Sequence, residues 1–291
     1  MFETLLSLLF ASTIGSHMAT QEVVPIHQFD DRILLSVTKV PLRHEEAVAP
    51  SDFSARGIIS VDLESQALLF QSGAHNRLPI ASLTKLMTAY IVLTENQPED
   101  IVTVSAHAAG TGGSRMGLWS GEKIKLNNLL YGMLLNSGND SAVALAEFNA
   151  GSEQAFVEKM NQRAKDLGME TTVYRDSTGL NPENMSSARD LALLTAYLSK
   201  NDRIRQIAVQ NEARVQNETG SFHQLKNTNE LLGKLGVKGL KTGKTPEAGE
   251  CLITLAENPD GHEIITVMLG SGARFAETQK MLEWIYNSYT W

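Results

Sequence analysis

Cysteine is almost missing from this chain of 291 residues. Cys251 stands alone, so no intrachain disulfide can form and no multi-cysteine metal site exists. Histidine offers no metal site either. The seven histidines (His17, His27, His44, His75, His107, His223 and His262) are scattered with no i, i+4 pair, so no metal and no other cofactor is expected. Basic charge is also short: 25 Lys plus Arg against 33 Asp plus Glu gives a net charge of −8, the wrong sign for a nucleic-acid partner. No apolar run reaches the ~18 residues of a membrane-spanning helix. What remains is ordinary globular usage, with 42% hydrophobic and 20% charged residues and enough length to bury a sizeable core.

The N-terminus stands apart from the rest. Leu5 to Ile14 (LLSLLFASTI) has the ~7–15-residue length of a signal-peptide apolar region. It lacks the usual basic start, since Glu3 precedes it and the first Lys or Arg is Arg32. Gly15-Ser16-His17-Met18 resembles a remnant of an expression vector. Residues 1–19 are therefore expected to be a signal or vector-derived segment, an export or anchoring role being favoured over a buried helix. Residues 20–54, with Pro25, Pro41, Pro50 and the charged patch at 43–46, read as a leader or linker with one short strand at 33–40.

From Arg56 the pattern sharpens into one domain over 55–291. The runs 57–62 and 67–70 are β-like and read as a hairpin. Over 82–93 the spacing becomes helical, with Leu83, Leu86, Met87, Tyr90 and Ile91 on one face. The middle predicts helices at 126–135, 141–149, 153–167 and 188–199. Ser152 and Ser187 stand as N-caps there, and Gly168 as a terminating glycine. Strands return at 249–256 and 263–269, and a last helix is expected over 276–289. Strands, a helical insert, more strands and a closing helix make an α/β sheet domain with an inserted helical subdomain at about 95–200.

Three short patterns could carry chemistry. Ser82-Leu83-Thr84-Lys85 puts a hydroxyl and an amine on one face of a helix start. A neutral lysine there can take the serine proton, provided its pKa is lowered by desolvation or a second cation. Alone the pattern says little, because Ser36-Val37-Thr38-Lys39 repeats it without a helical setting. Ser137-Gly138-Asn139 sits between two helices and reads equally as an ordinary turn and cap. Lys241-Thr242-Gly243 reads as preceding a strand. It is either an exposed edge with Gly243 as a bulge, or an edge that receives an extended substrate and its carboxylate.

Taken in order, S-x-x-K, S-x-N and K-T-G are the signature of penicillin-binding proteins and serine β-lactamases. Residues 77–90 (RLPIASLTKLMTAY), 112–140, 174–192 (YRDSTGLNPENMSSARDLA) and 227–252 resemble the low-molecular-mass D-alanyl-D-alanine carboxypeptidases of peptidase family S11, and the resemblance covers 55–290. It implies an α/β fold of the β-lactamase/transpeptidase kind: an antiparallel sheet flanked by helices, with an inserted all-helical subdomain. It further implies a serine peptidase, with Ser82 the acylated nucleophile and Lys85 its proton acceptor. Ser137 would relay a proton to the leaving amine, and Asn139 would position Lys85 and the substrate amide. Lys241 and Thr242 of the Lys241-Thr242-Gly243 edge would bind the substrate carboxylate, with Lys241 a charged ammonium that keeps Lys85 neutral. The N–H groups of Ser82 and Lys244 would form the oxyanion hole, and Arg274 is the best match to an arginine that the family places near the carboxylate.

Partners implied are peptidoglycan peptides, with β-lactam antibiotics as covalent inhibitors, in an extracytoplasmic location. Membrane contact is expected at most through the N-terminal segment. The same motifs leave carboxypeptidase and D,D-endopeptidase both open, and also a non-turnover penicillin-binding sensor. A β-lactamase is disfavoured, because no Glu-x-x-Leu-Asn sequence lies between Asn139 and Lys241. Four other readings are plain. The Lys244 side chain is expected to face solvent. Phe275, Leu282, Trp284, Ile285 and Tyr289 should pack the last helix on the sheet, Cys251 should be an inert buried thiol, and Arg189-Asp190 should form a charge pair at a helix start.

Overall fold

The computed structural model describes residues 39–291. The segment expected at 1–19, most of the strand expected at 33–40 and the Ser36-Val37-Thr38 pattern lie outside the described residues.

Alternation of apolar residues is the origin of the central sheet. Ile59, Val61, Ile253, Leu255, Ile265 and Val267 belong to one core, while Ile58, Leu252, Ala256, Ile264 and Met268 belong to another. Successive side chains of a strand point to opposite faces, so such a sheet must be covered on both sides. It has five antiparallel strands in the order Val237–Thr245, Gly249–Glu257, Glu263–Ser271, Gly57–Asp62 and Leu68–Ser72. Val61 opposite Ile265 and Ile59 opposite Val267 join the first hairpin to the last strands. Everything between residues 73 and 236 is thereby an insertion into one sheet.

The first core joins the sheet to the helices of that insertion: Lys85–Glu95, Leu126–Leu134, Asn139–Ala150, Glu153–Asp166 and Ala188–Leu198. Ser152 and Ser187 cap two of them, accepting from Ala155 N and Asp190 N at 3.2 Å each. The insertion also holds a ladder of Ile101–Thr103 with Lys123–Lys125, a helix at Asp202–Ala208 and a hairpin of Glu212–Gln216 with Phe222–Lys226, none of which was expected.

The closing helix, Arg274–Ser288, covers the second face with Met281, Leu282 and Ile285 fully buried. Phe53, Phe70 and Trp284 meet edge to face at 5.9 and 5.8 Å, so the aromatics of this helix serve packing as expected. Leu42–Arg43, within the stretch read as a linker, pairs with Tyr289–Thr290. Among the described residues no helix is long and apolar enough to cross a membrane.

One expectation needs correction. Lys241-Thr242-Gly243 does not precede a strand but lies inside Val237–Thr245, the edge strand of the sheet. Its bulge falls between Val237 and Gly239, and Gly243 pairs in register with Cys251. Lys241 and Thr242 are buried instead of exposed, because the turn that carries Ser82 packs against this edge.

Candidate active site

The serine of the first motif sits on a short 3-10 turn, Ala81–Thr84, and the α-helix begins only at Lys85. Ala81 has φ +47°, a left-handed conformation costing a residue with a Cβ about 1–2 kcal/mol. Such strain persists only where neighbours enforce it. Thr84 Oγ1 donates to Ala81 O at 2.8 Å, and two glycines let other segments close on the turn. A Cβ on Gly243 would lie 3.1 Å from Ser82 N and 3.2 Å from Ala81 Cβ, so the edge strand runs directly beside the nucleophile's backbone. A Cβ on Gly179 would lie 1.9 Å from Ala81 O. With φ +88° added to that clash, Gly179→Ala is expected to cost at least about 2 kcal/mol and to slow acylation as the turn shifts. Denaturant melts and penicillin acylation measured on the same preparation check both effects.

Two side chains and a carbonyl meet at the Lys85 amine, which is fully buried. Nζ lies 2.9 Å from Ser82 Oγ, and donates to Asn139 Oδ1 and the Thr178 carbonyl at 2.6 Å each. Asn139 is held from its other end, where Nδ2 donates to Gly112 O at 2.7 Å. That contact fixes which end of the amide faces Lys85. Asp140, next in the chain, accepts from the N–H groups of Met116 and Gly117 at 2.9 and 2.8 Å and secures the loop that supplies Gly112. Burial pushes the Lys85 amine down to about 7, against the pull of Asp176 and Asp140.

A second buried amine faces the same space. Lys241 Nζ donates to Ser137 Oγ at 2.9 Å and to Thr242 O at 3.0 Å. Ser137 itself has φ +56°, another strained residue at a motif position. Burial first, and then repulsion from Lys85 and Arg274, hold Lys241 well below the usual lysine range. Both effects oppose the charge expected on Lys241. Both amines are buried, so desolvation and their mutual repulsion oppose a double positive charge here.

The remaining candidates line the same edge. Thr242 Oγ1 meets Thr228 Oγ1 at 2.6 Å. Arg274 Nη1 donates to Gly243 O at 2.8 Å, while its buried Nε has no protein partner. Lys244 turns outward as expected, its side chain 66% exposed and its Nζ 2.8 Å from Glu250 Oε1, so only its backbone adjoins the site. Ser82, Lys85, Asn139, Ser137 and Lys241 thus converge through their side chains. The Thr178 carbonyl was missed, since a backbone acceptor has no residue signature.

On the neighbouring strand, opposite Gly243, burial pushes the Cys251 thiol up to about 11, consistent with an inert core residue. Arg189 and Asp190 pair at 3.2 Å, as expected. Among the described residues no cluster of His, Cys, Asp and Glu could hold a metal ion.

An antiparallel sheet between a helical insertion and a closing helix, with these residues at its edge, is the transpeptidase/β-lactamase-like fold. The crystal structure of the Streptomyces K15 DD-transpeptidase superposes with a TM-score of 0.76 at 30% identity, over 82% of this chain and 100% of that one. The sequence model of peptidase family S11, D-alanyl-D-alanine carboxypeptidase, matches residues 44–273, and the chain belongs to that family. It is 35% identical over 245 residues to the D-alanyl-D-alanine carboxypeptidase DacF of Bacillus subtilis, covering 81% of this chain and 63% of that protein. It is 31% identical over 272 residues to the D-alanyl-D-alanine endopeptidase of Escherichia coli, covering 88% and 87%. The chain spans 60–63% of the length of the first carboxypeptidases it matches.

Proposed function

We propose that the protein is a serine DD-peptidase that cuts D-Ala-D-X bonds in peptidoglycan stem peptides through an acyl-enzyme on Ser82, with D-Ala-D-Ala carboxypeptidase activity as the first reading. The hydrogen bonds at Lys85 carry this. A neutral amine has two N–H groups and one lone pair. Asn139 Oδ1 and the Thr178 carbonyl accept and cannot donate, so they take the two N–H groups. The lone pair is left for the Ser82 hydroxyl at 2.9 Å. An amine near 7 is also half deprotonated at neutral pH, which suits a general base.

Ser82 Oγ then adds to the D-Ala carbonyl carbon as its proton passes to Lys85. The developing oxyanion is taken by the N–H groups of Ser82 and Lys244. The C–N bond breaks, the leaving amine takes a proton through Ser137, and water later splits the Ser82 ester. The substrate carboxylate lies against Lys241, Thr242 and Arg274. A bound carboxylate supplies the negative charge that lets Lys241 hold its proton, so substrate both binds to Lys241 and charges it. The proton on Lys241 in turn keeps Lys85 in its basic form. β-Lactams, which present a reactive carbonyl and a carboxylate together, become covalent inhibitors of the same site. Peptidoglycan lies outside the cytoplasm, so the reading includes an extracytoplasmic location, on the periplasmic or cell-wall side, and a role in cell-wall shape.

D,D-endopeptidase activity is the second reading, supported by the 31% identity over 272 residues to the Escherichia coli D-alanyl-D-alanine endopeptidase. Both reactions attack a D-Ala carbonyl and differ in what lies beyond it. Digestion of purified monomeric pentapeptide and cross-linked dimer, followed by mass spectrometry, separates them. Loss of one alanine from the monomer identifies the carboxypeptidase; conversion of dimer to monomers identifies the endopeptidase. No change in either overturns the proposal.

Lys241 gives a further expected result. Lys241→Ala should lower acylation by roughly 10²–10³-fold, the ~2–4 kcal/mol of one lost electrostatic contact. At saturating penicillin, where the bound carboxylate has charged Lys241 in wild type, it should also move the acidic limb of the pH–rate profile to higher pH, because Lys85 loses that repelling neighbour and binds its proton more readily. Lys241→Arg keeps the charge and should retain part of the rate. A loss below tenfold with an unmoved limb would remove Lys241 from the site.

A further inference from the structure

Lys85 is held partly from outside the three sequence motifs. Its contact at the Thr178 carbonyl belongs to the turn 176–184, and one carboxylate organises that turn. Asp176 Oδ1 accepts from the N–H groups of Thr178 and Gly179 at 2.8 and 2.6 Å and from Asn184 Nδ2 at 2.8 Å. Asp176 Oδ2 accepts from Asn181 N at 2.6 Å. An ordinary Asx turn needs one such bond, to the backbone two residues on. The additional bonds fix where the Thr178 carbonyl points. Gly179 in turn lies against Ala81 O, so the turn and the nucleophile are registered to each other.

The charges around Lys85 come from several elements. The helix Asn139–Ala150 supplies Asp140, which binds backbone N–H groups and has Arg115 at 3.8 Å. The edge strand supplies Lys241, and Arg274 lies behind it. The helix Glu153–Asp166 supplies Glu153, whose carboxylate takes Ser177 N and Oγ at 3.0 and 2.6 Å. The helix Ala188–Leu198 supplies Arg189 and Asp190, and Asp190 accepts from Thr171 and Thr172. Asp176 and Asp140 are the carboxylates that favour the protonated amine against its burial.

We propose that Asp176 is a positioning residue for the general base, holding the Thr178 carbonyl against Lys85 and supplying the counter-charge on that side. This rests on the reading of Lys85 as the base for Ser82. Burial alone would leave the amine unprotonated but weakly basic, and a weak base draws a proton from serine slowly. A carboxylate two bonds removed restores basicity without touching the lone pair that faces Ser82.

The test is the rate of Ser82 acylation by benzylpenicillin across the pH range, in wild type, Asp176→Asn and Asn184→Ala. An asparagine at 176 keeps an acceptor for Thr178 and Gly179 and loses the charge and the Asn181 bond. Lys85 then binds its proton less tightly, so the acidic limb should move to lower pH by about half to one unit. The plateau should fall about threefold to tenfold, as for a weaker base. Asn184→Ala disturbs the turn but keeps the charge, so it should lower the plateau and leave the limb in place. A limb in Asp176→Asn that coincides with wild type, in a protein folded by circular dichroism, overturns the proposal. If that variant does not fold, Asp176→Glu decides: the retained charge should leave the limb where it is, and a displacement of a full unit overturns the idea. Wild type that is not acylated at all would instead overturn the reading of Ser82 and Lys85.

Discussion

Ser82→Ala is expected to abolish covalent capture of penicillin, where the wild-type chain takes up a single adduct visible as one mass increment. The nucleophile is singled out by three independent features. Its hydroxyl lies 2.9 Å from an amine brought down to about 7. Its backbone N–H lies beside the edge strand, where a Cβ on Gly243 would come within 3.1 Å. Its preceding residue is held at φ +47°, a strained conformation that persists only where neighbours enforce it. The other motif hydroxyl, Ser137, meets Lys241 at 2.9 Å and is the one place to which a nucleophilic role could pass. Intact-mass analysis of Ser82→Ala, with Ser36→Ala as the control from the repeated pattern, separates these cases. An adduct surviving in Ser82→Ala would transfer the nucleophile to Ser137. Loss of the adduct in Ser36→Ala would show that the repeated pattern matters. Removing only the hydroxyl leaves Ala81, Gly179 and Gly243 in place, so stability should change by less than about 1 kcal/mol, as for most changes outside the packed core.

What the sequence reveals of this site follows from the chemistry each residue performs. A nucleophile, a base and a carboxylate-binding cation must be particular side chains, so although each motif alone read equally as a turn or a coincidence, their order and the resemblance to family S11 made Ser82, Lys85, Ser137, Asn139 and Lys241 legible. The sheet was legible for a similar reason: Ile58–Val61 and Leu252–Ala256 are buried on both faces, leaving runs no amphipathic helix would produce. The hairpin of Glu212–Gln216 with Phe222–Lys226 was not. Glu212, Arg214, Gln216, Phe222, Gln224 and Lys226 are exposed, and only Val215, His223 and Leu225 are buried, so the alternation carries little apolar contrast. The burial of Lys241 was equally hidden. Nothing in Lys241-Thr242-Gly243 announces that a distant turn at Ala81–Thr84 covers the strand edge. That contact is fixed by tertiary packing, and with it goes the lowered basicity of Lys241. The role of Asp176 was hidden in another way, because an aspartate ahead of Ser-Thr-Gly is what any surface turn would contain.

Lys85→Ala is expected to slow Ser82 acylation by roughly 10²–10⁴-fold, the usual scale for loss of a general base. The nucleophile remains in place in this variant, but Asn139 Oδ1 and the Thr178 carbonyl lose their donor, so part of the fall reflects two orphaned acceptors. Lys85→Arg separates charge from basicity. A guanidinium stays protonated throughout the accessible pH range and has no lone pair to offer. It would also crowd a site whose partners lie only 2.6–2.9 Å from the present amine. Its rate should therefore fall nearly as far as that of the alanine variant. The pH dependence makes the argument specific. Burial lowers the Lys85 amine to about 7, so wild-type acylation should decline as pH drops through that value, because the ammonium form cannot accept the serine proton. Above it the rate should level off, the amine then being free. In Lys85→Ala the slow residual reaction should lack this limb, since the titrating group is gone. Stopped-flow acylation from pH 5 to 9 with a chromogenic β-lactam measures all three profiles. If Lys85→Arg kept more than a tenth of the wild-type rate, or if the limb near 7 persisted without the amine, proton abstraction from Ser82 would have to pass to another group. The other buried amine of the site is Lys241, which reaches it through Ser137.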